Sequence, residues 1–121
     1  MKFQDLLAYK KSFSLAMEIF EISKKFPKEE RYSLTDQIRR SSRSVSVNIS
    51  ESYAKRHYPK HFVSKLTDSD GENFETQTWL EFANACTYID DKEYDGLMEQ
   101  TVEVAKLFHY MIRNPGKFGS K

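Results

Sequence analysis

Residues 37–52 read QIRRSSRSVSVNISES, and their heart, S-V-S-V-N-I-S over 44–50, alternates polar and apolar with the period of a half-buried strand. The same stretch carries three arginines among six serines. Widening the window changes the reading. Leu34, Ile38, Ser41/Ser42, Val45, Asn48/Ile49 and Ser52/Tyr53 recur at three- and four-residue steps across about twenty residues, whereas the period of two covers only the seven of 44–50. No hairpin turn or partner strand is evident elsewhere, so the segment is expected to be a helix. Ser33 is its N-cap candidate and Asp36 lies in its first turn.

Three further helices follow by the same reasoning. Leu6, Tyr9, Phe13, Ala16, Met17, Phe20 and Ser23 form a helical stripe over about 5–26, widened by Leu15, Ile19, Ile22 and Phe26, and Pro27 ends it. The second helix spans 34–56. A third, 59–88, begins with Pro59 at its first position and points Phe62, Leu66, Ser69, Asn73, Thr76, Leu80, Ala83 and Thr87 inward. Gly71 in its interior costs about 1 kcal/mol relative to Ala unless close packing offsets it. The fourth, 91–113, opens on a capping box, Asp90 with Glu93, and stops at Asn114-Pro115-Gly116, leaving FGSK as a frayed tail. Helices joined by short loops give an all-α, antiparallel up-down-up-down four-helix bundle, a single domain over residues 1–121.

The chain has 121 residues, 39% of them hydrophobic, which is enough for one real core. Its formal charge is only +1, so there is no general attraction to nucleic acid or membrane. The distribution is uneven. Residues 39–65 hold seven basic side chains and one acid, Glu51, whereas 66–103 hold eleven acids and one base, Lys92. A single cysteine excludes an internal disulfide, and neither a secretory signal nor a membrane span is evident, so a cytoplasmic location is expected.

Gln37, Ser41, Ser44, Asn48 and Glu51 fall on one helical face beside the apolar stripe. They read as a polar seam, within or between subunits, with Glu75, Thr76 and Gln77 able to supply partners. Arg39 and Arg43 face the same way, and Arg40 can reach Asp36; these are either ion-pairing residues or phosphate forks. Lys55, Arg56, Lys60 and Lys65, with Tyr53 and Tyr58 interleaved, form a basic corner between the second and third helices that suits phosphates and bases or else is simply solvated. His57 and His61 have a metal-capable spacing, but Pro59 breaks the helix between them and no third ligand is evident, so no metal is expected. Cys86 reads as a small buried residue, and Trp79 as an oligomer anchor or secondary core.

These residues together resemble the four-helix-bundle proteins encoded by intervening sequences of bacterial 23S ribosomal RNA genes. Phe3 and Leu6, then Phe26-Pro27, Glu30, Tyr32 and Leu34, match the family's opening. Gln37-Ile38-Arg39-Arg40-Ser41-Ser42, Ser44-Val45, Asn48-Ile49 and Glu51 match its central string, and Glu75-Thr76-Gln77 with Leu80 its third helix. The resemblance implies a ring-like homo-oligomer, commonly a pentamer, and no established enzymatic activity; no cofactor is expected. It extends distantly to the accessory protein of diversity-generating retroelements, which resembles a basic pentameric barrel that binds a reverse transcriptase and nucleic acid.

The expected function is therefore a non-enzymatic oligomeric bundle that binds RNA, DNA or a ribonucleoprotein partner through Lys55, Arg56, Lys60 and Lys65, aided by Arg39 and Arg43. Gln37, Arg40, Ser44, Asn48, Glu51, Glu75 and Trp79 are the expected seam or oligomer contacts. The alternative is a protein–protein scaffold without nucleic-acid binding. In a ring each copy uses two different surfaces, and a basic second-helix face against the acidic third- and fourth-helix face of the next copy would meet that need.

Overall fold

A computed structural model describes residues 1–120. Four helices make up the body: α1 (Leu7–Ser23), α2 (Leu34–Ala54), α3 (Pro59–Ala85) and α4 (Asp91–Arg113), with no strand among the described residues. The ambiguous stretch 37–52 lies wholly inside α2. Short 3-10 turns at Phe3–Asp5, Lys28–Glu30 and Pro115–Phe118 mark the ends and the first connection. Cross-helix contacts fix the directions. Ser12 meets Ser46 and Ser23 meets Arg39, while Ser41 meets Thr76 and Val45 meets Ser69, so each rising number on one helix meets a falling number on the next. Asp70 with His109 and Gln77 with Thr101 repeat the pattern for α3 and α4, as do Lys11 with Glu103 and Lys25 with Glu93 for α1 and α4. The fold is an antiparallel four-helix bundle.

Phe62, Phe108, Ile19, Ile38, Ile49, Leu66 and Leu80 are fully buried at its centre. The inner face expected for α3 is buried from Phe62 to Ala83, and Leu97, Thr101, Val104, Phe108 and Met111 do the same for α4. On α1 the expectation needs correction. Ala8, Ser12, Leu15, Ala16, Ile19 and Ser23 face the core, whereas Phe13 and Met17 are 50% and 47% exposed. Both sets obey a helical period; the small side chains on the first let α1 approach α2 closely, with Ser46 Oγ donating to Ser12 Oγ at 3.0 Å.

The ends differ from expectation for local reasons. α1 starts after a 3-10 turn and ends at Ser23, whose hydroxyl donates to the Phe20 carbonyl; Phe26 is buried beyond the helix. Ser33 does not cap α2 itself. Its hydroxyl and the Leu34 amide both donate to Glu30, which takes the cap's place. α2 stops at Ala54 and α3 at Ala85, both short of the expected 56 and 88. At the end of α3, Tyr88 N–H donates to Ala83 C=O and Thr87 N–H to Asn84 C=O, with Thr87 at φ 60°. This is a Schellman stop with a β-branched residue where glycine is favoured. The α4 capping box forms as expected, with Glu93 N–H donating to Asp90 at 2.7 Å. The tail is not frayed up to residue 120: Phe118 stacks edge-on to Tyr110, Gly119 adopts φ 87° against Arg56, and Ser120 is buried; Lys121 lies outside the described residues. Among the described residues nothing packs within 4 Å of where a Cβ on Gly71 would sit, so no close approach there offsets its helical cost.

Two acids at the surface tie the loops together. Ser33 and Tyr88, with the Leu34 amide, donate to Glu30 and hold its carboxyl below the ordinary value, while that carboxylate and partial burial push the Tyr88 hydroxyl up to about 12. Lys25 and the Asp90 amide do the same to Glu93. Carboxyls lowered in the folded state stabilise it above the unfolded pKa, and that stability is lost as pH falls through the folded value. Unfolding stability should therefore drop below about pH 4.5, and Glu30→Gln should make that acid slope shallower in denaturant titrations at stepped pH. Thr87→Gly removes the left-handed strain and should stabilise by about 1 kcal/mol, raising the melting temperature by about 4 °C; an unchanged or lower value would contradict the strained stop.

Candidate nucleic-acid interface and polar seam

The seam lies between α2 and α3, and the partners found for it lie within the chain. Ser41 and Thr76 share a hydroxyl–hydroxyl bond of 2.8 Å, and Ser69 Oγ donates to Val45 C=O at 3.0 Å, the three hydroxyl side chains being nearly or fully buried. Asn73 continues the polar layer to the Thr101 carbonyl and Gln77 to the Thr101 hydroxyl; Asn73 Oδ1 has no partner among the described residues. Gln77 thus serves α4 rather than α2. Asn48 turns back to the Ser44 carbonyl of its own helix, and both lie half-buried.

Arg40 does not pair with Asp36. Its guanidinium bridges Glu72 at 2.9 Å and Glu75 on α3, and its Nε donates to Gln37 Oε1. The two carboxylates raise the Arg40 pKa further. Glu75, despite the opposing effect of burial, is lowered by Arg40, Glu72 and Trp79. Trp79 donates to Glu75 through Nε1, packs against the core and sits 5.9 Å from Phe82. Glu51 belongs to the same line of pairs, with Lys65 at 3.0 Å.

The expected cationic residues divide into two groups. Arg39 and Arg43 stack over Phe20 at 4.8 and 5.5 Å, and Arg39 also donates to Ser23. With Arg31 they line a groove beside α1 in which Asp36 is the one acid. About 20 Å further along α2 lies the α2–α3 corner. There Lys55 and Lys60 are exposed and make no ion pair among the described residues, and Tyr58 is 64% exposed. Lys65 is drawn away from the corner by Glu51 and Asp68, which raise its pKa. Arg56 is half-buried, stacked on Tyr53 at 4.2 Å and bonded to the Tyr53 carbonyl.

The antiparallel path brings both chain ends to this corner. Tyr53 Oη donates to the Met1 carbonyl, Lys2 borders the same cleft as Arg56, and the turn holding Lys117 lies against Arg56 through Gly119. Lys2 and Lys117 therefore join Lys55 and Lys60, although they are 115 positions apart in a sequence that gives no sign of it. His57 and His61 are exposed on either side of Pro59, and among the described residues no three His, Cys, Asp or Glu side chains are grouped to hold a metal ion. Cys86 is exposed just past the end of α3, not buried; it lies one turn beyond Phe82, on a helix face that is already 54% exposed there. No helix of the described residues is long and apolar enough to cross a membrane.

A comparison with curated proteins finds no significant match. A crystal structure of a protein of unknown function from the S23 ribosomal protein family of Bacteroides thetaiotaomicron is similar at 27% identity, with a TM-score of 0.79, covering 91% of this chain and 98% of that one. The profile of the 23S rRNA-intervening sequence proteins matches residues 4–110. With a match over nearly the whole bundle, the chain belongs to the 23S rRNA-intervening sequence protein family.

Proposed function

We propose that this protein is a non-enzymatic, cytoplasmic binding module whose cationic end takes the phosphate backbone of a nucleic acid. The observation that carries the reading is the convergence of Lys2, Lys55, Lys60 and Lys117 on one end of the bundle, where none of the four side chains makes an ion pair among the described residues, although Glu51 borders the cleft of Lys2, and where the Tyr58 ring is exposed. Lysines supply counterion release, and an exposed aromatic face offers stacking to an unpaired base. Lys65 is not counted in this surface, since its ion pair with Glu51 serves the α2–α3 seam.

A salt-series titration against labelled structured RNA, duplex DNA and single strands tests it. The triple change of Lys2, Lys55 and Lys60 to Ser should weaken binding at least roughly tenfold at low salt. It should also reduce the salt slope by about 0.7–0.9 for each phosphate that is no longer neutralised. Lys65→Ser should change affinity by less than about twofold. Folded protein that binds none of these nucleic acids at low salt would overturn the reading and leave a protein scaffold.

A second reading, self-association, has its own support. Phe13, Met17 and Val47 on the α1–α2 face are each about half exposed, as are Phe74 and Phe82 on α3, and such apolar area favours burial against another chain. Arg39 and Arg43 border the first face without an ion pair among the described residues. We read the two faces as the two sides of a heterologous contact, closing to the pentamer that the family resemblance implies. Arg39→Glu and Arg43→Glu should each lower the light-scattering mass on dilution; full mass in both would rule out charge pairing at this face.

A further inference from the structure

The end of the bundle away from the lysines carries a groove that the nucleic-acid reading does not use and that shares Phe82 with the self-association face. It lies where the turn before α2 meets the last turns of α3, has a volume of about 440 Å³, and is lined by Glu30, Tyr32, Gln37, Trp79, Phe82 and Cys86 among others. Its aromatic walls are set differently. Trp79 is fixed from behind, packed on the core with its indole N–H bonded to Glu75, and Phe82 stands 5.9 Å from it with 54% of its surface open. Tyr32, also on the lining, is 86% exposed.

The carboxylate in this groove has no counter-ion among the described residues. Glu30 receives Ser33 Oγ at 2.6 Å, the Leu34 amide and Tyr88 Oη at 2.9 Å, all uncharged donors, and makes no ion pair among the described residues. Those donors favour the ionised form. Of the cations at its margin, Arg40, bonded to Gln37 of the lining, is held by Glu72 and Glu75, while Arg31 makes no ion pair among the described residues and lies 6.0 Å from the Tyr32 ring. The groove thus combines π faces with an uncompensated negative charge. A planar cation that stacks on aromatic rings and donates in the plane to carboxylate or amide oxygens satisfies both features, and among protein side chains that is the guanidinium.

We propose that this groove is a docking site for an arginine side chain presented by a basic segment of a partner protein. Tyr32, Trp79 and Phe82 supply the stacking surface, and Glu30 supplies the charge. The proposal is independent of the nucleic-acid reading, whose residues lie at the opposite end of the bundle.

The chain carries its own reporters, since Trp79 is its one tryptophan and Cys86 its one cysteine. Both line the groove. A short blocked peptide containing one arginine should alter Trp79 emission and slow alkylation of Cys86 by iodoacetamide, with half-saturation in the low-millimolar range or tighter. The same peptide with citrulline in place of arginine should do neither at equal concentration. Tyr32→Ala and Phe82→Ala change exposed rings and should leave the fold intact while weakening the response by roughly fivefold or more each. Glu30→Gln should weaken it as well. An equal response to the citrulline peptide, or none to arginine in folded protein, overturns the proposal. So does Cys86 protection that rises with protein concentration alone, which would give the groove to a second copy of this chain.

Discussion

The contact on which the rest depends is the α2–α3 seam. A buried hydroxyl without a partner costs about 1–3 kcal/mol. Ser41 and Thr76 meet this cost by bonding to each other, and Ser69 does so through the Val45 carbonyl. Small side chains here let the two helices pack more extensively than any other pair. The register is then discrete: sliding α3 by one turn would break these bonds together with the Arg40–Glu72, Arg40–Glu75 and Lys65–Glu51 bridges. Such a network specifies one alignment more sharply than apolar packing can.

That alignment sorts the charges. Two of the basic residues that look alike in sequence, Arg40 and Lys65, are consumed as bridges across the seam, whereas Lys55 and Lys60 stay in solvent. Arg39 and Arg43 take a third course, resting on the Phe20 ring. The register also sets where the α2–α3 connection falls, and with it the corner to which the chain ends return. The cationic end is therefore a consequence of the seam, assembled from residues at both extremes of the chain and its middle.

The aromatic side chains follow a different rule. The core takes Phe62 and Phe108 whole, but the close approach of α1 to α2 leaves no room for Phe13 or Met17, which stay largely outside. Phe74, Phe82 and Tyr32 are also left open. A chain this size has more large apolar groups than its interior accepts, and the surplus gathers on defined faces. Such faces mark interaction surfaces more than they contribute to the stability of the single bundle.

The helical class of residues 37–52, the buried faces of α3 and α4, the start of α3 at Pro59 and the Asp90–Glu93 cap were legible in the sequence, because period, proline and capping chemistry are local. So was the family, carried by a string of residues at fixed spacing. Which of two helical stripes on α1 turned inward was not, since both have the right period and only the size of the α1–α2 gap chooses between them. The stop of α3 was hidden because Thr87 adopts a glycine-like conformation, and Cys86 is exposed on the same open face as Phe82 one turn before it. The fate of each charge was equally beyond the sequence. Arg40 pairs with acids 32 and 35 positions away, and Lys65 reaches back across a helix reversal to Glu51. Lys2 and the turn that holds Lys117 come to Arg56 from opposite ends of the chain, and only the packed register brings such groups to one end of the bundle.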